Sequence, residues 1–292
     1  LNTLQYRSNT LMNELVIITD SSCDLSLNYL NENNIILLPL TVEIQGKIYK
    51  DIIDLDTEKF YNLIDDKLSI PKTAAVNLYT FEEVFKRELL KGNEVLYIGI
   101  SSEISSTFSS AYQAKSILGS NKIHLIDSRS AAYGQGLLVE IANKMKNEGK
   151  NVNEIIKAIE DIIPRMDYAI MINDIEMLKR SGRISAMMSF AGNLLNIKPV
   201  ICVQDGEVEI LKKVKGTKSA INFLVNRLSE FKPDNKFPIV IYYGCDNDLK
   251  DMVNDKLINL FPNNNIKSMQ IGATIGSHTG KYGVGIFFVK EK

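Results

Sequence analysis

The chain has 292 residues, 45% hydrophobic and 24% charged, a length that suits about two domains and a composition that can bury a core without disulfides or metals. The 34 basic and 35 acidic residues leave a net charge of −1, which gives no electrostatic reason to expect a nucleic-acid or anionic-membrane partner. No apolar run reaches the roughly 18 residues that a transmembrane helix needs, so no stable membrane insertion is expected.

Residues 1–13 are polar and lack the apolar centre of a signal peptide. The chain opens on Leu1, so the stretch before Met12 reads as an upstream extension. Cys23, Cys202 and Cys245 are far apart and show no CxxC spacing, which points to a reduced, cytoplasmic protein.

In chain order, residues 15–19 form a β-branched run that reads as a buried strand, followed by a helix from about Asp24. Apolar runs at 35–38 and 41–44 follow, and Gln45-Gly46 reads as a hairpin turn into 47–50. Thr80-Phe81-Glu82-Glu83 has the spacing of a capping box opening a helix that ends at Lys91-Gly92. A strand at 95–100, a helix to Leu118, a strand at 123–126 and a helix at 136–147 continue the alternation. That β-α rhythm predicts a mostly parallel sheet covered by helices.

Helical patterns at 152–163 and 175–179 bracket an apolar strand at 168–172. Runs at 198–203 and 208–214 are joined through Asp205-Gly206, a strong hairpin signal. A helix from 217, a strand at 239–243, a helix from 246 and strands at 266–270 and 284–289 complete the chain. The expected architecture is α/β throughout, with an N-terminal domain over 13–164 and a C-terminal domain with a mixed sheet over 165–292.

Residues 100–110 hold six serines and one threonine at a strand-to-helix turn, where open α/β folds bind ligands. Free N–H groups at a helix start, together with hydroxyls, form a cup suited to an anion. Helix capping also explains Ser and Thr there, and both readings stand. At Thr19-Asp20-Ser21-Ser22-Cys23-Asp24, capping by Asp24 suffices, and Cys23 reads as a small packed side chain. Residues 71–77 read as a linker between two helices, and the two arginines of Arg180-Ser181-Gly182-Arg183 as cations near a helix end.

The glycines at 272, 276, 280 and 283, with His278 among them, predict close backbone approach. This is not a phosphate loop: the Gly276-to-Gly280 spacing is one residue short and Tyr282 stands in the magnesium-binding hydroxyl's place. Gly134-Gln135-Gly136 lacks the third glycine of a dinucleotide fingerprint. No GxSxG elbow and no metal-ligand spacing occurs, and His124 reads as a packed strand residue. No nucleophile stands with its base.

Several ordered motifs then carry a resemblance. They are Ile18-Thr19-Asp20-Ser21-Ser22-Cys23-Asp24, Leu38-Pro39-Leu40, residues 100–107, Ile126-Asp127-Ser128, residues 178–185, and Gly276-Ser277-His278-Thr279-Gly280. From residue 15 to residue 289 the chain resembles the DegV family, bacterial fatty-acid-binding proteins that present acyl chains to a fatty acid kinase. The resemblance implies two α/β domains with a long-chain fatty acid as ligand buried between them, a kinase as partner, no catalytic residue, no metal and no cofactor. It places the carboxylate site at Thr73 and Ser105, with Ser106 at the turn and Arg183 and His278 near the head group. The family's Ser-Gln-Pro after that threonine is here Ala74-Ala75-Val76, then Asn77; its turn glycine is Ser106; and its Pro-Gly after the glycine loop is Lys281-Tyr282. A fold similar to dihydroxyacetone-type kinases leaves a small-molecule phosphotransferase as the alternative.

Overall fold

The computed structural model of the chain describes residues 14–64, 70–172, 182–183 and 196–292. The helix predicted at 175–179 lies outside these.

Strands β1 (Leu15–Asp20) and β2 (Ile36–Leu38) pair in parallel, and Ser26, whose side chain accepts from Tyr29 N–H, opens helix α1 (Leu27–Glu32) between them. Asp24 is therefore not the cap of this helix; it sits half-buried, its carboxylate oxygens covered, in a left-handed turn with φ 54°. Strands β3 (Thr41–Ile44) and β4 (Lys47–Lys50) form the expected hairpin, followed by helix α2 (Thr57–Leu63). Residues 72–74, read from sequence as part of a linker, are strand β5 (Lys72–Ala74), which adds antiparallel to β3 and pairs Thr73 with Val42. Its three residues carry no periodicity of their own, so only the neighbouring strand makes them extended.

Helix α3 (Leu78–Leu90) begins at Asn77, whose side chain accepts the Thr80 N–H, rather than at the predicted capping box. Asn is as good a cap as Thr, and capping from Asn77 adds most of a turn that brings Leu78 onto the core. Strand β6 (Glu94–Gly99), helix α4 (Thr107–Leu118), strand β7 (Ile123–Asp127) and helix α5 (Tyr133–Asn147) follow. Helix α6 (Val152–Ile162) has the reciprocal capping box, formed by Asn151 and Glu154, and buries Val152, Ile155, Ile159 and Ile162 along one stripe.

The first sheet runs β2-β1-β6-β7, all parallel. The second sheet is mixed and six-stranded. It comprises β8 (Met166–Met171), β9 (Ile197–Gln204), β10 (Glu207–Lys215), β11 (Ile239–Tyr243), β12 (Ile266–Gln270) and β13 (Val284–Val289), in the order β10-β9-β8-β13-β11-β12. Only β11 and β12 run parallel there. Asp205 and Gly206, both at positive φ, close the predicted β9–β10 hairpin. The fold is α/β with one parallel and one mixed sheet, as the sequence pattern predicted.

Helices α3 and α4 cover one face of the first sheet through Phe81, Phe85, Ala111 and Ala114. Helices α5 and α6 lie between the two sheets: Leu137, Leu138, Ile155 and Ile159 share one core with Ile17 and Leu96 on one side and Tyr168, Val240 and Phe287 on the other. Helices α7 (Thr217–Phe231) and α8 (Asn247–Leu260) cover the far face of the second sheet. Alternation along β13 sends Phe287 and Val289 to the shared core and Ile286 and Phe288 to the outer one.

The glycine-rich stretch is partly helical: α9 (Ala273–Thr279) packs against β3, β5, α2 and the turn at Ser21–Cys23. The expected close approach is present, since a Cβ on Gly276 would stand 2.7 Å from the Phe60 ring.

Candidate functional site

In the first sheet the strand order reverses direction at β1 and β6, which puts their carboxyl ends where an open α/β fold forms its crevice. Asp20 joins the two ends. Its carboxylate accepts from Tyr97 Oη at 2.7 Å, from the Ile100 N–H at 3.0 Å and from the Ser22 hydroxyl. The serine-rich turn 100–107 is thereby held against the turn at 20–24.

Within the serine-rich turn the hydroxyls divide their work. Ser101 Oγ donates to the Gly206 carbonyl of the β9–β10 hairpin at 2.7 Å. Ser105 Oγ lies 2.9 Å from Thr107 Oγ1, which also accepts the Val76 N–H at 3.3 Å. Ser106 stands at the start of α4, exposed, with no side-chain capping bond. Capping thus accounts for little of this serine content.

Thr73 on β5 and His278 on α9 meet: Thr73 Oγ1 and His278 Nε2 are 3.0 Å apart. His278 Nδ1 is buried with no partner. Burial, reinforced by the nearby Arg183 charge, pushes the His278 ring down to about 4, so it is neutral at ordinary pH. Arg183 and His278 line one cavity with Ile104, Ala132, Ile170 and Val208. That cavity is about 80 Å³, room for two or three waters' share of liquid volume. At its wall Ala132 holds φ 53° and ψ −146°, a conformation costly for a residue with a Cβ. It begins α5 while its N–H donates to the Ser22 carbonyl at 2.7 Å.

Of the residues singled out from sequence, the structure brings Thr73, His278 and Arg183 together and ties Ser105 to the Thr73 loop through Thr107 and Val76. Among the described residues, Ser106 makes no side-chain hydrogen bond to the others. Cys23 is fully buried, with its thiol pushed far up by burial, and is the packed side chain expected. His124 pairs with Glu94 at 2.8 Å on the sheet. The cavity walls Ile104, Ile170 and Val208 were not found from sequence, because apolar wall residues look identical to core residues until the sheets are assembled.

The family model for DegV proteins, described as uncharacterised, matches residues 14–291. The chain belongs to the DegV family. A DegV domain-containing protein of Clostridium acetobutylicum is 31% identical over 280 residues, covering 96% of this chain and 100% of that one. Among solved structures, the fold is similar to that of DegV, a fatty acid binding protein from Bacillus subtilis, at 25% identity and a TM-score of 0.83 over 96% of this chain and 100% of that one. It is also similar to a fatty-acid (stearic acid)-binding protein from Eubacterium ventriosum, at 25% identity and a TM-score of 0.81 over 94% and 97% of the two chains. Among the described residues no helix is long and apolar enough to cross a membrane, and no three His, Cys, Asp or Glu gather as a metal site.

Proposed function

We propose that this DegV-family protein binds a long-chain fatty acid between two α/β domains, 13–164 and 165–292, and presents its carboxylate to a fatty acid kinase that makes the acyl phosphate. The observation that carries this reading is an apolar cavity with Arg183, His278 and, beside it, Thr73 at one end. The fatty acids bound by structurally similar family members supply the ligand class.

The chemistry fits. Each buried methylene contributes about 0.8 kcal/mol, so a long acyl tail contributes on the order of 10 kcal/mol before ordering costs. A carboxylate desolvated without donors would cancel much of that. A neutral His278 with its hydrogen on Nε2 donates to Thr73 Oγ1, which leaves the Thr73 hydroxyl hydrogen free for the carboxylate. Ser105 and Ser106 add hydroxyls from the α4 start, and Arg183 supplies the positive charge. In this role the residues bind and orient; transfer of the phosphoryl group from ATP to the carboxylate, with ADP leaving, belongs to the partner.

A cavity of about 80 Å³ is too small for the whole tail, so its walls part on loading. Native mass spectrometry of the freshly purified protein, with the extracted lipid identified, tests the reading. One long-chain fatty acid per chain supports it; a protein that is empty and also ignores added fatty acid overturns it. Acyl phosphate formed only when a fatty acid kinase and ATP are both added tests the partnership.

A further inference from the structure

Asp20 does not line the cavity of Arg183 and His278, yet it is fully buried, along with Thr19, Ser22, Tyr97 and Gln135. Two donors face each of its carboxylate oxygens. Oδ1 takes the Ser22 N–H at 3.1 Å and the Ser22 hydroxyl, while Oδ2 takes the Tyr97 hydroxyl at 2.7 Å and the Ile100 N–H at 3.0 Å. A carboxylate is costly to bury unless donors meet it in this way. Capping of the short turn at Ser21–Cys23 uses only the Ser22 N–H, so a cap does not by itself explain the residue.

The remaining bonds lead toward the ligand site from two sides. The Ile100 bond fixes the first residue of the serine-rich turn. From there the turn closes on itself, because the Ser101 carbonyl accepts the Ile104 and Ser105 N–H groups, both at 3.1 Å. Ser105 Oγ then meets Thr107 Oγ1, which takes the Val76 N–H of the segment that carries Thr73. On the other side, the Ser22 carbonyl accepts the Ala132 N–H at 2.7 Å, and Ala132 lines the cavity. Ser22 Oγ also lies 2.8 Å from Gln135 Oε1, and the Gln135 amide donates to Thr19 Oγ1 at 3.1 Å and to the Ile98 carbonyl at 3.3 Å. One carboxylate therefore joins the ends of β1 and β6, the cavity wall at the start of α5 and the turn that carries Ser105.

We infer that Asp20 is a positioning residue for acid recognition: it holds the Ser105 hydroxyl in register with Thr73 and with the cavity wall, without meeting the ligand itself. The inference rests on the acyl-binding reading. A carboxylate near an anionic head group can act in two ways, and they differ in sign. Through space it repels the ligand, so removing its charge tightens binding. Through its bonds it places the donors, so replacing it loosens binding. Asparagine offers one oxygen and one NH₂, and whichever way it turns, the NH₂ faces a backbone N–H, that of Ser22 or that of Ile100.

The test compares hexadecanoic acid with hexadecan-1-ol, which has the same tail and no charge, by displacement of a fluorescent fatty acid from the full chain. Folding is followed by Tm. Asp20→Asn is expected to weaken acid binding about tenfold, the lower worth of a Ser105 hydrogen bond to a charged group once that hydroxyl is out of place. The affinity for the alcohol is expected to stay unchanged. Tyr97→Phe removes one donor from Asp20 and keeps the ring, so it should shift the acid in the same direction by less; it decides the question if Asp20→Asn does not fold. Equal losses for acid and alcohol would make Asp20 structural only, and tighter acid binding would show its charge acting through space. Either result overturns the inference, as does an acid affinity unchanged in both variants. A wild type that binds neither probe overturns the acyl-binding reading itself.

Discussion

Thr73 Oγ1 lies 3.0 Å from His278 Nε2, a contact between residues 205 positions apart. Thr73 is on an edge strand of the small antiparallel sheet, and His278 is on the short helix that leaves the six-stranded sheet to pack against it. In the acyl-binding reading the contact aims the Thr73 hydroxyl. Thr73→Ala combined with Ser105→Ala is expected to weaken fatty-acid binding by about 10²- to 10⁴-fold, the worth of two hydrogen bonds to a charged group. A displacement assay with a fluorescent fatty acid reads this, and unchanged affinity would remove both residues from the site.

The protonation of His278 is open to direct measurement. Its folded pKa, about 4, lies below the ordinary value of 6.5, so the unfolded chain takes up the proton first. This residue's share of stability is present above pH 6.5 and is lost as pH falls toward 4, on the order of 3 kcal/mol in all. Asp51 works the other way: burial raises its carboxyl to about 6, so its cost in the fold is relieved as pH falls through 6. The two oppose each other in a global acid titration. The clean reading is therefore the His278 ring signal by NMR, expected to stay flat from pH 8 to 5. Titration near 6.5 would contradict the buried, neutral ring.

Where α9 meets α2, space is the constraint. Adding a methyl at Gly276 places it 2.7 Å from the Phe60 ring and 3.0 Å from Tyr61 Oη. Gly276→Ala is expected to destabilise by about 1–3 kcal/mol through overpacking, measured by urea unfolding. Because α9 carries His278, fatty-acid affinity should fall as well.

Asp167 and Arg227 form a two-pronged pair, with Arg227 Nε and Nη2 donating at 2.6 and 2.8 Å. Asp167 is 7% exposed, and its other cation, Lys290, is 3.8 Å away. Arg227→Met is expected to cost about 3 kcal/mol because it leaves a buried charge poorly compensated. Adding Asp167→Leu should restore most of the loss; a double variant no better than the single would show that packing, not charge, was the cause.

The hairpin over the cavity lined by Arg183 and His278 is fastened to the first sheet by the Ser101-to-Gly206 bond at 2.7 Å and by Arg129 donating to the Asp205 carbonyl. Val203 and Val208 beside that tip line the cavity. Ser101→Ala removes one bond of about 1 kcal/mol and is expected to speed fatty-acid release roughly fivefold in stopped-flow displacement. An unchanged release rate would place the exit elsewhere.

Much of this molecule was determined by the sequence by itself. The β-α alternation, the Asp205-Gly206 hairpin and the stripe on α6 are local features, because periodicity and turn chemistry act within a few residues. Residues 100–107 stood out for the same reason, as a strand-to-helix turn with more hydroxyls than a cap uses, and the structure ties Ser101 to the β9–β10 hairpin and Ser105 to Thr107. Only the tertiary structure decided the rest. Residues 72–74 become a strand because β3 offers its edge, and Asn77 wins the cap from Thr80 because Leu78 reaches the core. Asp24, read as a helix cap, instead lays its carboxylate against Gly272, nearly 250 residues away in sequence. Such pairings are set by packing between distant segments, whose energies depend on close contact across the assembled sheets and leave no mark on either segment alone.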